Sequence, residues 1–92
     1  MTKSNLNFGQ AIELMKQGKK VARVGWNGAG MFTYLVPAAA YLAQTGVAKE
    51  HFGGHAMVPY REYLALKTAQ GDVATWAPSC SDALAEDWGL VP

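Results

Sequence analysis

The 92-residue sequence predicts one small α+β domain, residues 1–92, with an N-terminal helix packed on an antiparallel sheet of hairpins and a short C-terminal helix. Three observations predict it. "NFGQAIELMKQGKKV" places Phe8, Ala11, Ile12 and Met15 at i, i+3, i+4 and i+7, one apolar stripe along a helix. Four short runs rich in β-branched and aromatic residues pair across glycine-bearing turns, "KVARVGW" with "MFTYLV" and "YREYLALKT" with "VATWAP". Half of the residues are hydrophobic and 16% are charged, a balance too apolar for disorder in a chain too short for two cores.

The elements follow in order. Residues 1 to 6 read as a loose start. Asn7 is a candidate N-cap with Gln10 three residues on, the spacing of a capping box. Gly18 suits the left-handed stop of that helix, which is expected from about Asn7 to Gln17, with Lys16, Lys19 and Lys20 near the negative end of its dipole. A strand, the turn "NGAG" and a second strand come next. Asn27-Gly28 is a hairpin signal because both residues tolerate positive φ. In "MFTYLV", Met31, Thr33 and Leu35 face one way and Phe32, Tyr34 and Val36 the other, so both faces are mostly apolar. The second face is therefore expected to meet a helix, another subunit or a ligand.

"PAAAYLAQTG" offers Pro37 at a first helical turn and Gly46 at a stop, a short helix. "VAKEHFGGHAMVP" has no sustained period and reads as a loop. "YREYLALKT", the turn "AQGD" and "VATWAP" form a second hairpin, ended by Pro78. "SCSDALAEDW" is a short helix capped by Ser79 or Ser81, with Trp88 at its exit assigned to the core. "WGLV" returns as an edge strand.

Eight basic against seven acidic residues argue against a surface that coats DNA or RNA, while leaving room for a local anion site. No apolar run approaches the roughly 20 residues that span a membrane, and no signal-peptide pattern is present. Cys80 is the single cysteine, which excludes an intrachain disulfide and fits a reducing cytoplasm. So many aromatic residues in so small a chain favour burial between subunits.

Catalysis has little support. His51 and His55 are four apart, but the intervening "FGG" makes a helix poor there, and the thiol is distant, so no metal site is expected. Cys80 reads as a small buried residue rather than a nucleophile. Asp82, Glu86 and Asp87 could form a carboxylate set, although acids at a helix start also serve its dipole. Arg23, Lys19 and Lys20 could neutralise a phosphate, or simply lie on a solvated face. Binding is better supported: Trp26 beside Asn27, and Trp76 before "APS", each place an indole at a strand end among small polar residues. Such a ring stacks on a base or sugar, or else packs against the core or a neighbouring subunit.

These residues resemble a known family. "FGQAIELMKQGKKVARVGWNG", "MFTYLVP", "YLALKTAQGDVATWAPS" and "SDALAEDW" are together similar to the phage Thoeris anti-defense two family, from about Phe8 to Val91. The most specific pieces are R-x-G-W-N-G, from Arg23, and W-x-P-S-x-x-D-x-L-A-E-D-W, from Trp76. The resemblance implies a non-catalytic sponge without a cofactor. It implies a homo-oligomer, tetrameric, holding a cyclic ADP-ribose-type signal such as glycocyclic ADP-ribose between subunits. That signal is made by the TIR protein of Thoeris defence, and some members also take cyclic oligonucleotides. Carried over by position, the ligand-binding residues are Trp26, Asn27, Met31 and Phe32, with Trp76, Ser79 and Asp82. The place of action would be the cytoplasm of the infected bacterium. Two readings compete: a protein-interaction module using the same aromatic patch, and a nucleotide-signal hydrolase with Asp82 and His55.

Overall fold

A computed structural model describes residues 3–92. Its main sheet is antiparallel, with strands β1 (Lys3–Leu6), β2 (Lys20–Arg23), β3 (Phe32–Val36), β6 (Tyr63–Lys67), β7 (Val73–Thr75) and β8 (Trp88–Val91). They lie in the order β1-β8-β2-β3-β6-β7. Helix α1 (Phe8–Lys16) crosses β8, β2 and β3 on one face. The domain is α+β, as its sequence predicts.

Helix α1 forms where the apolar stripe and caps place it. Asn7 accepts the Gln10 amide at 2.8 Å, and the Gln10 side chain accepts the Asn7 amide at 2.9 Å, which closes the capping box. Gly18 takes φ 85 just beyond the C-terminal end. Ala11 and Met15 are buried by this face against Leu6, Val21 and Trp88, and Ile12 packs at the margin. Fully burying a side chain such as Met15 is worth roughly 1.5–3 kcal/mol, so this contact is a principal stabiliser of the fold. Thr33 is fully buried on the same face and donates its hydroxyl to Met15 Sδ at 3.4 Å.

Several expectations are corrected. Of the supposedly loose start, residues 1 and 2 lie outside the described residues, while Lys3–Leu6 form β1 against β8, with an irregularity that carries Asn5 at φ 65. β8 is consequently an interior strand between β1 and β2, not an edge. The connection from β2 to β3 is longer than a two-residue hairpin, and within it Gly30, not Asn27 or Gly28, takes positive φ. Gly28 is needed for space instead: a Cβ there would collide with Met31 Sδ and meet Ala69 Cβ at 3.0 Å. The stretch read as a helix is strand β4 (Ala39–Leu42). Gly46 begins a helix rather than ending one: α2 (Gly46–Phe52) is capped by Thr45, whose hydroxyl accepts the Ala48 amide at 3.1 Å. The stretch read as a loop holds most of α2 and strand β5 (Met57–Tyr60), which pairs with β4.

β4, α2 and β5 make an arm whose two strands pair only with each other. The radius of gyration is 15.8 Å, against about 12 Å for a compact chain of this length, and the extents are 47 × 26 × 25 Å. Tyr41, Leu42, Val47, Phe52, Met57 and Tyr60 are all exposed on this arm.

Candidate ligand site

The C-terminal motif folds back onto the end of β2. Helix α3 (Cys80–Leu84) is shorter than its sequence suggests and has Ser79, not Ser81, as N-cap. Ser79 Oγ accepts the Asp82 amide at 3.1 Å, and Asp82 Oδ2 accepts the Ser79 amide at 3.3 Å, a second capping box. That box turns Asp82 toward the sheet, where Oδ1 accepts Arg23 Nη1 at 2.9 Å and the Trp26 indole N–H at 3.2 Å. The carbonyl of Asp82 accepts the Trp88 indole N–H at 2.9 Å.

Asp87 completes the cluster. Its Oδ1 accepts Arg23 Nε at 2.8 Å, and its Oδ2 accepts the Gly25 amide at 2.8 Å, which fastens the start of the Trp26 loop. The three charged side chains are partly buried, 21% exposed for Arg23, 15% for Asp82 and 31% for Asp87. Burial pushes the Asp82 carboxyl up, but hydrogen bonds from Arg23, Trp26 and Ser79 outweigh it and hold the pKa below the ordinary value. For Asp87 the bond from Arg23 is the leading cause of a lowered pKa, opposed by burial and helped by the Gly25 amide. Arg23 is raised in turn, chiefly by Asp87 and then by Asp82. The carboxylates are thus ionised and committed to an arginine. They are neither a free acid pair nor a free cation site.

Around this cluster stand four rings. Trp88 is fully buried, as its sequence position suggests, and meets Phe8 at 5.4 Å, Trp26 at 5.3 Å and Trp76 at 6.1 Å between centroids. Trp26 and Trp76 are half-buried and lie 6.2 Å apart at 74°, forming a corner rather than a parallel clamp. Each packs one side against the core and keeps some surface exposed.

Trp26, Trp76, Ser79 and Asp82 are therefore brought together. Asn27 is exposed beside Trp26, and Met31 folds back over Gly28. Phe32 points to the other face of the sheet. There it lines a depression of about 550 Å³ with Tyr34, Lys19, Lys20 and Lys67. Lys20 Nζ sits 4.8 Å above the Phe32 ring, and Lys67 Nζ donates to the Gly30 carbonyl at 3.1 Å. Of the seven candidates this depression holds Phe32 alone, whereas the tryptophan corner gathers four and has fixed polar groups beside its rings. The carboxylate set of the sequence reading is brought together only for Asp82 and Asp87, and its missing member is Arg23, which stands inside the first quoted motif some 60 positions away and meets them only in the fold. Cys80 is exposed on α3 rather than buried. His51 lies in the last turn of α2 and His55 beyond it. Among the described residues no cluster of three or more His, Cys, Asp or Glu could hold a metal ion.

Both segments that build this corner fall within residues 6–91, which match the model of the Thoeris anti-defense 2-like domain. The chain belongs to this family. It is also similar to Thoeris anti-defense 2 of Bacillus phage SP01, 39% identical over 90 residues that cover 97% of this chain and 98% of the relative. Membership in the Thoeris anti-defense 2-like family supports a phage anti-defense role, and at a coarse level it implies contact with a defence signal molecule. No helix among the described residues is long and apolar enough to cross a membrane.

Proposed function

We propose that this anti-defense protein is a sponge, which binds a cyclic ADP-ribose-type signal of a TIR protein, such as glycocyclic ADP-ribose, and withholds it unchanged inside the infected cell. The observation that carries the reading is the corner made by Trp26 and Trp76 with ionised Asp82 at its base. A purine stacks on one indole, and a ribose hydroxyl or exocyclic amine donates to the carboxylate. Asn27 and Ser79 add hydrogen-bonding groups at the rim, and Met31 holds the loop that presents them. Because two rings at 74° cannot sandwich a base, the second wall comes from another copy of the chain, in line with a homo-oligomeric, tetrameric sponge. Phe32 belongs to the same ligand set only if a neighbouring copy brings its face to the corner. Cyclic oligonucleotides share the base and ribose chemistry and are further ligands of the same kind.

Holding micromolar signal below an effector's threshold calls for a nanomolar dissociation constant, about −12 kcal/mol. The test is to mix the protein with a cyclic ADP-ribose isomer, denature the complex by heat and chromatograph the nucleotide. Intact recovery supports the sponge; new products would overturn it. The hydrolase reading is disfavoured by Asp82 itself, since a carboxylate with a lowered pKa is both a weak base and, at neutral pH, not an acid. Its supposed partner His55 stands on the arm. The protein-interaction reading predicts no nucleotide affinity in the absence of a protein partner.

A further inference from the structure

We infer that Arg23 is a positioning residue for the ligand, acting through Asp82 and Asp87 to fix the plane of the Trp26 indole. Trp26 sits in a loop between β2 and β3 that has no ladder of its own to hold it. Its ring packs on Trp88 and Trp76, and its N–H needs a directional partner. Asp82 Oδ1 supplies one by accepting the indole N–H, and the same oxygen is held by Arg23 Nη1. Asp87 holds Arg23 Nε from the other side, accepts the Gly25 amide through its carboxylate and the Val24 amide through its carbonyl at 3.0 Å. A planar guanidinium with donors in fixed directions sets the angle between two carboxylates; an ammonium can pair with them but does not fix their directions. The fork therefore sets the distance between α3 and the Trp26 loop.

The arrangement also fixes the polarity of the corner. One guanidinium against two carboxylates leaves a net charge of −1 beside the indole, so Arg23 is not a free anchor for phosphate. The edge of the ligand facing Asp82 is one that donates hydrogen bonds. The charged groups that face Asp82 are Arg23 from β2 and, across Arg23, Asp87 from the α3–β8 connection; Glu86 in that connection is exposed.

This inference rests on the sponge reading for its ligand but not for its first readout. Heteronuclear NMR of the full-length chain resolves the Trp26 indole N–H, assigned with Trp26→Phe. In the unaltered protein its acid titration should have a midpoint below the ordinary aspartate value of 3.8. In Arg23→Gln the midpoint should rise to or above that value, and affinity for a cyclic ADP-ribose isomer should fall about tenfold or more. Arg23→Lys should recover part of both. An unmoved midpoint with the resonance in its original place in Arg23→Gln would overturn the inference. If Arg23→Gln does not fold, Arg23→Lys decides by the same titration: a rise in the midpoint supports the clamp, and no rise overturns it. Failure of the unaltered protein to bind the nucleotide sinks the sponge reading, while the shift in midpoint still tests Arg23.

Discussion

The Asp82 residue accepts hydrogen bonds from two tryptophans, Trp26 on its carboxylate and Trp88 on its carbonyl, and so ties a fully buried ring of the core to a half-buried one. This link makes stability and ligand affinity partly inseparable at this end of the fold.

On the proposed reading Trp26→Ala removes a stacking surface worth roughly 1–3 kcal/mol, so nucleotide affinity should drop about five- to 150-fold. Because the ring also packs on Trp88, the melting temperature should fall as well. Trp26→Phe keeps most of the packing and loses the N–H, so it should retain the fold better than it retains affinity. Calorimetry beside thermal melting checks this; full affinity in the assembled Ala variant would remove Trp26 from the site.

Asp82→Asn should destabilise the domain by about 1–3 kcal/mol, since it weakens the bonds from Arg23 and Trp26 and loses the charged half of the α3 capping box. The pH dependence has a definite sign. Asp82 and Asp87 have lowered pKa values in the folded state, so their contribution is fully present above the ordinary value of 3.8 and lost as pH falls below it through the folded values. Denaturant melts in acid should show the unaltered protein losing this increment and Asp82→Asn losing less.

Met15→Ala should cost about 2–5 kcal/mol, combining lost burial, a cavity beneath the sheet and an orphaned Thr33 hydroxyl. Urea unfolding measures it directly. Adding Thr33→Val should return part of the loss by removing the unsatisfied group.

Gly28→Ala should loosen the Trp26 loop although Gly28 has an ordinary φ, because the new methyl takes the space of Met31 Sδ and crowds Ala69. Overpacking of this kind costs about 1–3 kcal/mol. Pairing it with Met31→Ala should relieve the clash, and a double-mutant cycle reads the coupling.

Leu42 and Met57 face each other as a β4–β5 pair and are both exposed. If the proposed homo-oligomer assembles through the arm, Leu42→Asp with Met57→Asp should lower its mass in light scattering at micromolar concentration. The secondary structure of the main sheet should survive. An unchanged mass would show that the arm takes no part in assembly.

Much of the fold is legible in local sequence. Helix α1 combines a stripe, a capping box and a glycine stop, all within a dozen residues; α3 is readable from its serines, but only the structure chooses Ser79 over Ser81 and closes the box with Asp82. The arm is not legible, because α2 has no buried residue and hence no periodicity to detect. Gly46 illustrates the ambiguity: glycine suits a helix stop, yet Thr45 just before it makes an equally good N-cap. β1 and the interior place of β8 depend on pairing between opposite ends of the chain, which no window of sequence contains. The same holds for the site. Trp26, Trp76 and Asp82 are readable as residues, whereas the clamp exists only once β2 meets the α3–β8 connection.

The arm has one further consequence. The core cluster of Leu6, Ala11, Met15, Val21 and Trp88 takes nothing from residues 39–60. Substitutions in this projection therefore leave the packing beneath α1 intact, and changes beneath α1 leave the projection's surface unaltered. A lineage that carries this domain could revise one without waiting on the other, so its two parts are open to separate histories of selection.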